Sequence, residues 1–180
     1  MAFEFPDIHF LRTMTTYRPN VSLKKLQAAQ DPLVYLNVIL EAFQQGLAED
    51  ADGTLHDSMN MNQHSLMAFS AFHSQVAAGG FIQLIHNGFG TYIFENPFAE
   101  VFGEWGAKHC QALIEQASPL FEKHRAEIEK ETSLEEFVKM YEAFPAFDPL
   151  DQEYLEVMDS ETEIIRSYVE SHLEDLVIPS

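Results

Sequence analysis

The residues of this chain whose type and spacing promise chemistry are its carboxylates. From Asp148 to Asp175 there are ten: Asp148, Asp151, Glu153, Glu156, Asp159, Glu161, Glu163, Glu170, Glu174 and Asp175, against one base, Arg166. Such a run is commonly a solvated tail. Here, however, apolar residues recur through it at helical spacing: Tyr154, Leu155, Val157, Met158, Ile164, Ile165, Tyr168, Leu173 and Leu176. Opposite them Glu153, Glu156, Glu163, Glu170 and Glu174 fall on one seam. On a continuous helix the steps from Glu153 to Glu174 cover roughly 31 Å at ~1.5 Å per residue, close to the ~34 Å of one B-DNA turn. A folded row of anions of that length can stand in for a phosphate backbone before a cationic receptor. The expected core of the surface is Glu153, Glu156, Asp159, Glu163, Glu170 and Glu174, with Asp148, Asp151, Glu161 and Asp175 at the rim.

Other constellations carry less. His56-Asp57 with His64 could gather a divalent cation, but the chain has no H-E-x-x-H, no paired Glu-x-x-His and no Cys/His pairs at zinc spacing. Cys110 follows His109 directly, and helix neighbours point in different directions, so a buried structural thiol is expected rather than a nucleophile–base pair. Gly79-Gly80 and Gly88-x-Gly90 match neither phosphate-binding pattern; close helix packing and a turn are the plainer readings. The aromatics from Phe98 to Phe147 are expected in the core, with Trp105 either there or at a dimer contact. No catalytic residue, cofactor or metal is expected.

Composition narrows the partner. The 180 residues carry a net charge of −19 and are 46% hydrophobic, enough to bury a core despite the acidity. That charge disfavours direct contact with nucleic acid or an anionic membrane and favours basic partners. The acids are concentrated in residues 111–180, which hold 18 of the 29. Concentrating like charge costs stability through self-repulsion, so a compensating use is expected. One cysteine excludes an intramolecular disulfide. The N-terminus lacks a basic n-region and no apolar run approaches ~18 residues, so a soluble, cytoplasmic protein is expected.

The elements that must position these residues read as helices. Asp31-Pro32, Asn96-Pro97, Ser118-Pro119 and Asp148-Pro149 each place an N-cap acceptor before a proline suited to a first turn. Ser133-Leu-Glu-Glu136 and Ser160-Glu-Thr-Glu163 read as capping boxes. Helices are expected from Ser22 to Ala29, Leu33 to Leu47, Gln63 to Ile85 (one helix or a pair around Gly79-Gly80), Glu100 to Ala117, Leu120 to Lys130 and Leu134 to Phe144. An acidic pair, about 150–159 and 161–176, would follow, bent at Ser160. Residues 48–62 read as a polar loop, His86-Asn87-Gly88 as a helix exit, and Phe3, Phe5, Ile8, Phe10 and Leu11 as packing onto a larger body. The expectation is an all-α, compact, multi-helix single domain over residues 1–180.

The stretches Ala78-Gly-Gly-Phe-Ile-Gln83, His86-Asn-Gly88, Trp105-Gly-Ala107 and Phe147-Asp-Pro-Leu-Asp-Gln-Glu-Tyr154 carry a resemblance. The chain resembles a bacterial helical-domain family, marked by Gly-Gly-Phe-x-Gln, that includes an acidic DNA-mimic protein antagonising a repressor-type helix-turn-helix transcription factor. The likeness covers roughly Gln75 to Tyr154. It implies an all-α homodimer without catalytic residues, whose partner is a basic DNA-binding protein. The charge pattern alone leaves an alternative open, an acidic interaction or immunity protein with another basic partner.

Overall fold

A computed structural model describes residues 17–180, and the fold class is all-α. The expected packing of Phe3 to Leu11 lies outside the described residues. In chain order the elements are β1 (Asn20–Val21), α1 (Leu23–Ala28), α2 (Pro32–Glu49), a 3-10 turn (His56–Ser58), α3 (Met61–Leu84), a π-helical stretch (Ile85–Phe89), α4 (Gly90–Phe94), α5 (Phe98–Glu104), α6 (Lys108–Ile128), α7 (Leu134–Ala143), α8 (Asp148–Ser171), α9 (Leu173–Leu176) and β2 (Ile178–Pro179). They form two compact units, one of Ala68–Glu161 and the other of the described part of Glu4–Met67 with Thr162–Ser180. Among the described residues no helix is long and apolar enough to cross a membrane.

In the unit that holds the chain's end, α2 supplies the main apolar stripe. Asp31 caps it by accepting from Val34 N–H at 3.0 Å, and Pro32 opens it, as the Asp-Pro signal predicts. Tyr35, Leu36, Ile39, Leu40 and Phe43 are buried at helical spacing, and Ile165, Val169, Leu176 and Val177 are buried in the same unit. The stretch 48–62 is not all loop. At its end Asn60 caps α3: its Oδ1 accepts from Gln63 N–H at 2.9 Å, while Gln63 Oε1 accepts from Asn60 N–H at 2.8 Å. Gln63 Nε2 also donates to Tyr17 O and Leu176 O, both at 2.8 Å, and Asn60 Nδ2 donates to Asp175 O at 2.6 Å. These bonds satisfy the last carbonyls of the chain's final helical turn. Beyond it β2 pairs in parallel with β1, and Arg18 Nη1 donates to Glu174 O at 2.8 Å.

The Ala68–Glu161 unit is organised around a kink. α3 breaks at Gly79-Gly80, where Gly80 adopts φ +72°, a left-handed conformation that only glycine takes at little cost. The Phe81 N–H freed by the break is captured by Asp151 Oδ1 at 2.8 Å, and Tyr141 donates its hydroxyl to Gly79 O at 2.8 Å. A Cβ on Gly80 would stand 2.2 Å from the Asp151 carboxylate. Around this joint Phe81 stacks with Phe147 at 6.3 Å, and Phe72 meets Tyr154 edge-on at 4.8 Å. Phe98, Phe102 and Phe121 are fully buried, as is Cys110, and Trp105 is 5% exposed. The expected helix exit at His86–Gly88 is a π-helical stretch, with Gly88 at φ +83° and His86 Nδ1 2.8 Å from Ile128 O.

Three start signals resolve differently from expectation. Ser118-Pro119 lies inside α6, not at a helix start. The buried stripe Cys110, Leu113, Ile114, Ala117, Phe121 runs on through the proline, and its burial offsets the ~3 kcal/mol that an interior proline costs. Asn96 closes the helix before it by donating to Tyr92 O at 2.9 Å, and Pro97 takes the N-cap position of α5. Ser160 does not divide the acidic stretch. α8 is continuous from Asp148 to Ser171, and the Ser160 hydroxyl bonds back to Val157 O at 2.8 Å. The Ser133 box forms with both of its halves.

Burial pushes the Asp151 carboxyl up to about 6 from an ordinary 3.8; the bond from Phe81 N–H opposes this and Asp148 adds to it. A raised carboxylate means that the folded chain holds this proton more tightly than the unfolded one. Stability from this group is therefore present below pH 4, falls as pH rises through 4–6, and stays low above. Asp151→Asn keeps an acceptor for Phe81 N–H and removes that ionisation. It is expected to be more stable than the parent by about 1–2 kcal/mol at pH 7.5, after discounting for partial exposure, with the gain vanishing below pH 4 in urea denaturation. Gly80→Ala is expected to lose about 2 kcal/mol or more at every pH, through the left-handed strain and the clash with Asp151.

Candidate functional site

The acidic residues of α8 sort by helical phase. At ~100° per residue, Glu153, Glu156, Asp159, Glu163 and Glu170 fall within about a third of the helix circumference. Tyr154, Thr162, Ile165 and Val169 lie across from them and are buried. In the Ala68–Glu161 unit Asp148, Glu156 and Asp159 are exposed, and Glu153 is half-buried with 43% of its side chain accessible. In the other unit Glu163 and Glu170 are exposed on α8, while Glu174 and Asp175 are exposed on α9, beyond the end of the row's helix.

Two residues expected at the rim are placed elsewhere. Glu161 is 1% exposed, and its Oε2 accepts from Cys110 N–H at 2.9 Å. It sits seven residues after Tyr154 and four before Ile165, so its phase is that of the buried stripe. There it helps burial push the Cys110 thiol far above its ordinary range, which leaves an inert, protonated cysteine. Asp151 is the carboxylate over Gly80, committed to Phe81 N–H. Neither offers a free anion at the surface.

Among the described residues, bases touch the row lightly. Arg166 Nη1 lies 3.5 Å from Glu163 and Nη2 3.3 Å from Glu170, while its guanidinium sits 4.9 Å from the centre of the Tyr35 ring. Ser167 adds a bond to Glu163 at 3.4 Å. His109 Nδ1 stands 3.7 Å from Glu153, an ion pair only when the imidazole is protonated. Among the described residues Glu156, Asp159, Glu174 and Asp175 make no ion pair. The surface therefore stays anionic.

The alternative chemistries meet the geometry as follows. His56 and His64 do approach, with ring centroids 4.5 Å apart, and His56 Nδ1 is 3.8 Å from Asp57. Burial, reinforced by His56, lowers His64 to about 4, so it stays neutral at pH 7. Among the described residues no group of three or more His, Cys, Asp or Glu is arranged to hold a metal. At Gly79-Gly80 the N–H that an incoming phosphate would use is already taken by Asp151.

The buried Glu161 and the exposed Glu156 should differ in their response to substitution. Glu161→Ala leaves Cys110 N–H buried without an acceptor and is expected to cost about 1–3 kcal/mol. Glu156→Gln should stay within about 0.5 kcal/mol of the parent. Equilibrium denaturation of the two variants measures both.

A family model described as DMP19-like protein matches residues 57–172. That span contains the Gly79-Gly80 joint, the Asp151 carboxylate that closes it, and the whole of α8 with His172, which joins it to α9. The DNA mimic protein DMP19 of Neisseria meningitidis serogroup B (strain ATCC BAA-335 / MC58) is 31% identical to this chain over 146 residues, covering 81% of this chain and 88% of that protein. This chain belongs to the DMP19-like protein family.

Proposed function

We propose that this protein is a DNA mimic. It presents the outward carboxylates of α8 and α9 to the cationic surface of a DNA-binding protein and keeps that surface from DNA. The observation that carries the reading is the division of α8 into a buried face and an exposed face bearing Glu153, Glu156, Asp159, Glu163 and Glu170, which the bases among the described residues leave largely unneutralised. We assign Glu174 to the same surface and Asp148 and Asp175 to its border; Asp151 and Glu161 are left out because they serve the fold. The name of the Neisseria relative supports the same reading. The partner we propose is a repressor-type helix-turn-helix transcription factor, displaced from its operator by a homodimer of this protein in the cytoplasm, with no catalytic step.

The mechanism is substitution of one polyanion for another. A DNA-binding protein draws much of its affinity from phosphate contacts and counterion release, typically through about 6–10 phosphates. Five carboxylates spread over ~26 Å of one helix, from Glu153 to Glu170, can meet several of the same lysines and arginines. The helix holds them in place, so little ordering entropy is lost on binding, and their field speeds encounter at low salt.

The test begins with affinity capture of the DNA-binding partner from bacterial lysate at low salt. It continues with competition between this protein and a labelled operator duplex for that partner. The variant E156Q/D159N/E163Q/E170Q is expected to fold as the parent does, to compete at least about tenfold more weakly, and to show a shallower dependence of log affinity on log salt. Unchanged competition by a folded quadruple variant would remove α8 from the interface.

A further inference from the structure

Beside the acidic face, the unit built from residues 17–67 and 162–180 contains an open pocket of about 420 Å³. Its apolar walls are Leu23, Leu26, Tyr35 and Leu173, and Arg166 and Glu170 complete one side. Leu26 and Tyr35 form a buried floor at 3% exposure each, whereas Leu23 at the mouth is 41% exposed. Among the described residues nothing fills the hollow, and a leucine left 41% exposed beside it costs solvation without contributing packing. The one cation in the lining is already engaged, since Arg166 reaches Glu163 and Glu170 and covers the Tyr35 ring. What the pocket offers is therefore an apolar hollow with one acid, Glu170, in its wall beside Gln27 and Gln30, and the exposed Glu163 is joined to the same Arg166.

We propose that this pocket seats one large apolar side chain, leucine or an aromatic, carried among the basic residues of the DNA-binding partner. The inference rests on the mimic reading and specifies what it lacks, a source of selectivity. Paired charges speed association and tolerate any cationic surface, whereas buried aromatic or aliphatic anchors set most of the affinity in protein interfaces. A partner whose lysines and arginines straddle one apolar residue meets both parts of this surface at once: its cations face Glu163, Glu170 and Glu174, and its anchor enters between Leu23 and Leu173. A DNA-binding protein with charge but no such anchor binds more weakly, which is how a mimic chooses among the many basic proteins of a cell.

The probe is a set of fluorescein-labelled, Lys/Arg-rich helical peptides in which a single Phe is moved through successive positions of an otherwise Ala apolar face. Anisotropy titrations use the wild-type protein and two variants at the mouth of the pocket, Leu23→Ser, which removes a wall, and Gln27→Trp, which crowds the entrance; circular dichroism confirms that both fold. The expected result is that at least one Phe peptide binds the wild type about tenfold more tightly than the all-Ala parent. Both variants should abolish that advantage while leaving the salt dependence unchanged. If every peptide binds equally and the acidic-face variant E156Q/D159N/E163Q/E170Q still weakens all of them, the pocket proposal is overturned and the mimic reading stands. If no peptide binds even at low salt, both fall. Should Leu23→Ser instead change the sedimentation coefficient with the Phe preference intact, the pocket belongs to self-association and the proposal is again overturned.

Discussion

The burial of one face of α8 is the constraint on which the rest depends. Tyr154, Ile165 and Val169 are inaccessible to solvent, and hiding them fixes the rotation of the helix about its axis. That rotation leaves Glu156, Asp159, Glu163 and Glu170 in water. Carboxylates three and four residues apart repel one another by a few tenths of a kcal/mol per pair, and Glu170 near the helix end also opposes the dipole. An isolated helix of this composition would be poorly stable. The buried face outweighs these terms, at about 1.5–3 kcal/mol for each large apolar side chain removed from water. The anionic face is thus held in place by hydrophobic contacts on the far side.

Carboxylates in this chain do three kinds of work, and burial separates them. Asp151 and Glu161 accept backbone N–H groups that would otherwise be buried without partners, a structural use. Glu163 and Glu170 share Arg166, so they keep a net negative charge while losing conformational freedom. Glu156 and Asp159 are exposed acids whose removal should cost the fold little. The segments Gly79-Gly80-Phe81 and Phe147 to Tyr154, which carry the family likeness, meet in the first kind of use: Asp151 closes the Gly80 kink and Phe147 stacks on Phe81. That likeness therefore speaks for the scaffold, while the charge of the opposite face has to be argued separately.

Much of this was legible in residue spacing, and the failures share a cause. The Asp31-Pro32 cap and the Ser133 box follow from local chemistry and are present, and of the two readings open at Gly79-Gly80, one helix or a pair, the structure has the break. Ser160-Glu-Thr-Glu163 has the same pattern as the Ser133 box, yet it lies in mid-helix. There the backbone N–H groups already have partners in the turn before, so the serine bonds back to Val157 and Glu163 turns toward Arg166. Ser118-Pro119 fails likewise, because an apolar stripe continues through it. A start signal counts only where the stripe before it has ended. The burial of Glu161 was legible too: its phase relative to Tyr154 and Ile165 puts it on the buried face, and counting it as a surface acid gave charge more weight than periodicity. The cap Asn60–Gln63 was hidden within a stretch whose polarity read as loop, and its bonds to Tyr17, Asp175 and Leu176 join positions far apart in the chain. No local pattern encodes such pairings.

As a copy of DNA, a single helix is poor by charge count. Duplex DNA carries one phosphate charge per ~1.7 Å of axis, whereas five carboxylates over ~26 Å of α-helix amount to about one per 5 Å. Charge density alone would therefore leave such a helix losing to DNA at equal concentration. It must recover the difference elsewhere. A folded helix presents its anions without being bent or dehydrated to fit, and the arginine between Glu163 and Glu170 removes part of the side-chain entropy that binding would otherwise cost. Apolar contact is the other resource. DNA offers a protein few large hydrophobic hollows, and a folded protein can place one, walled here by Leu23 and Leu173, directly beside its anions. If the proposed competition holds, added salt weakens the partner's complex with DNA more steeply than its complex with this protein, because this protein's share of affinity from released counterions is smaller.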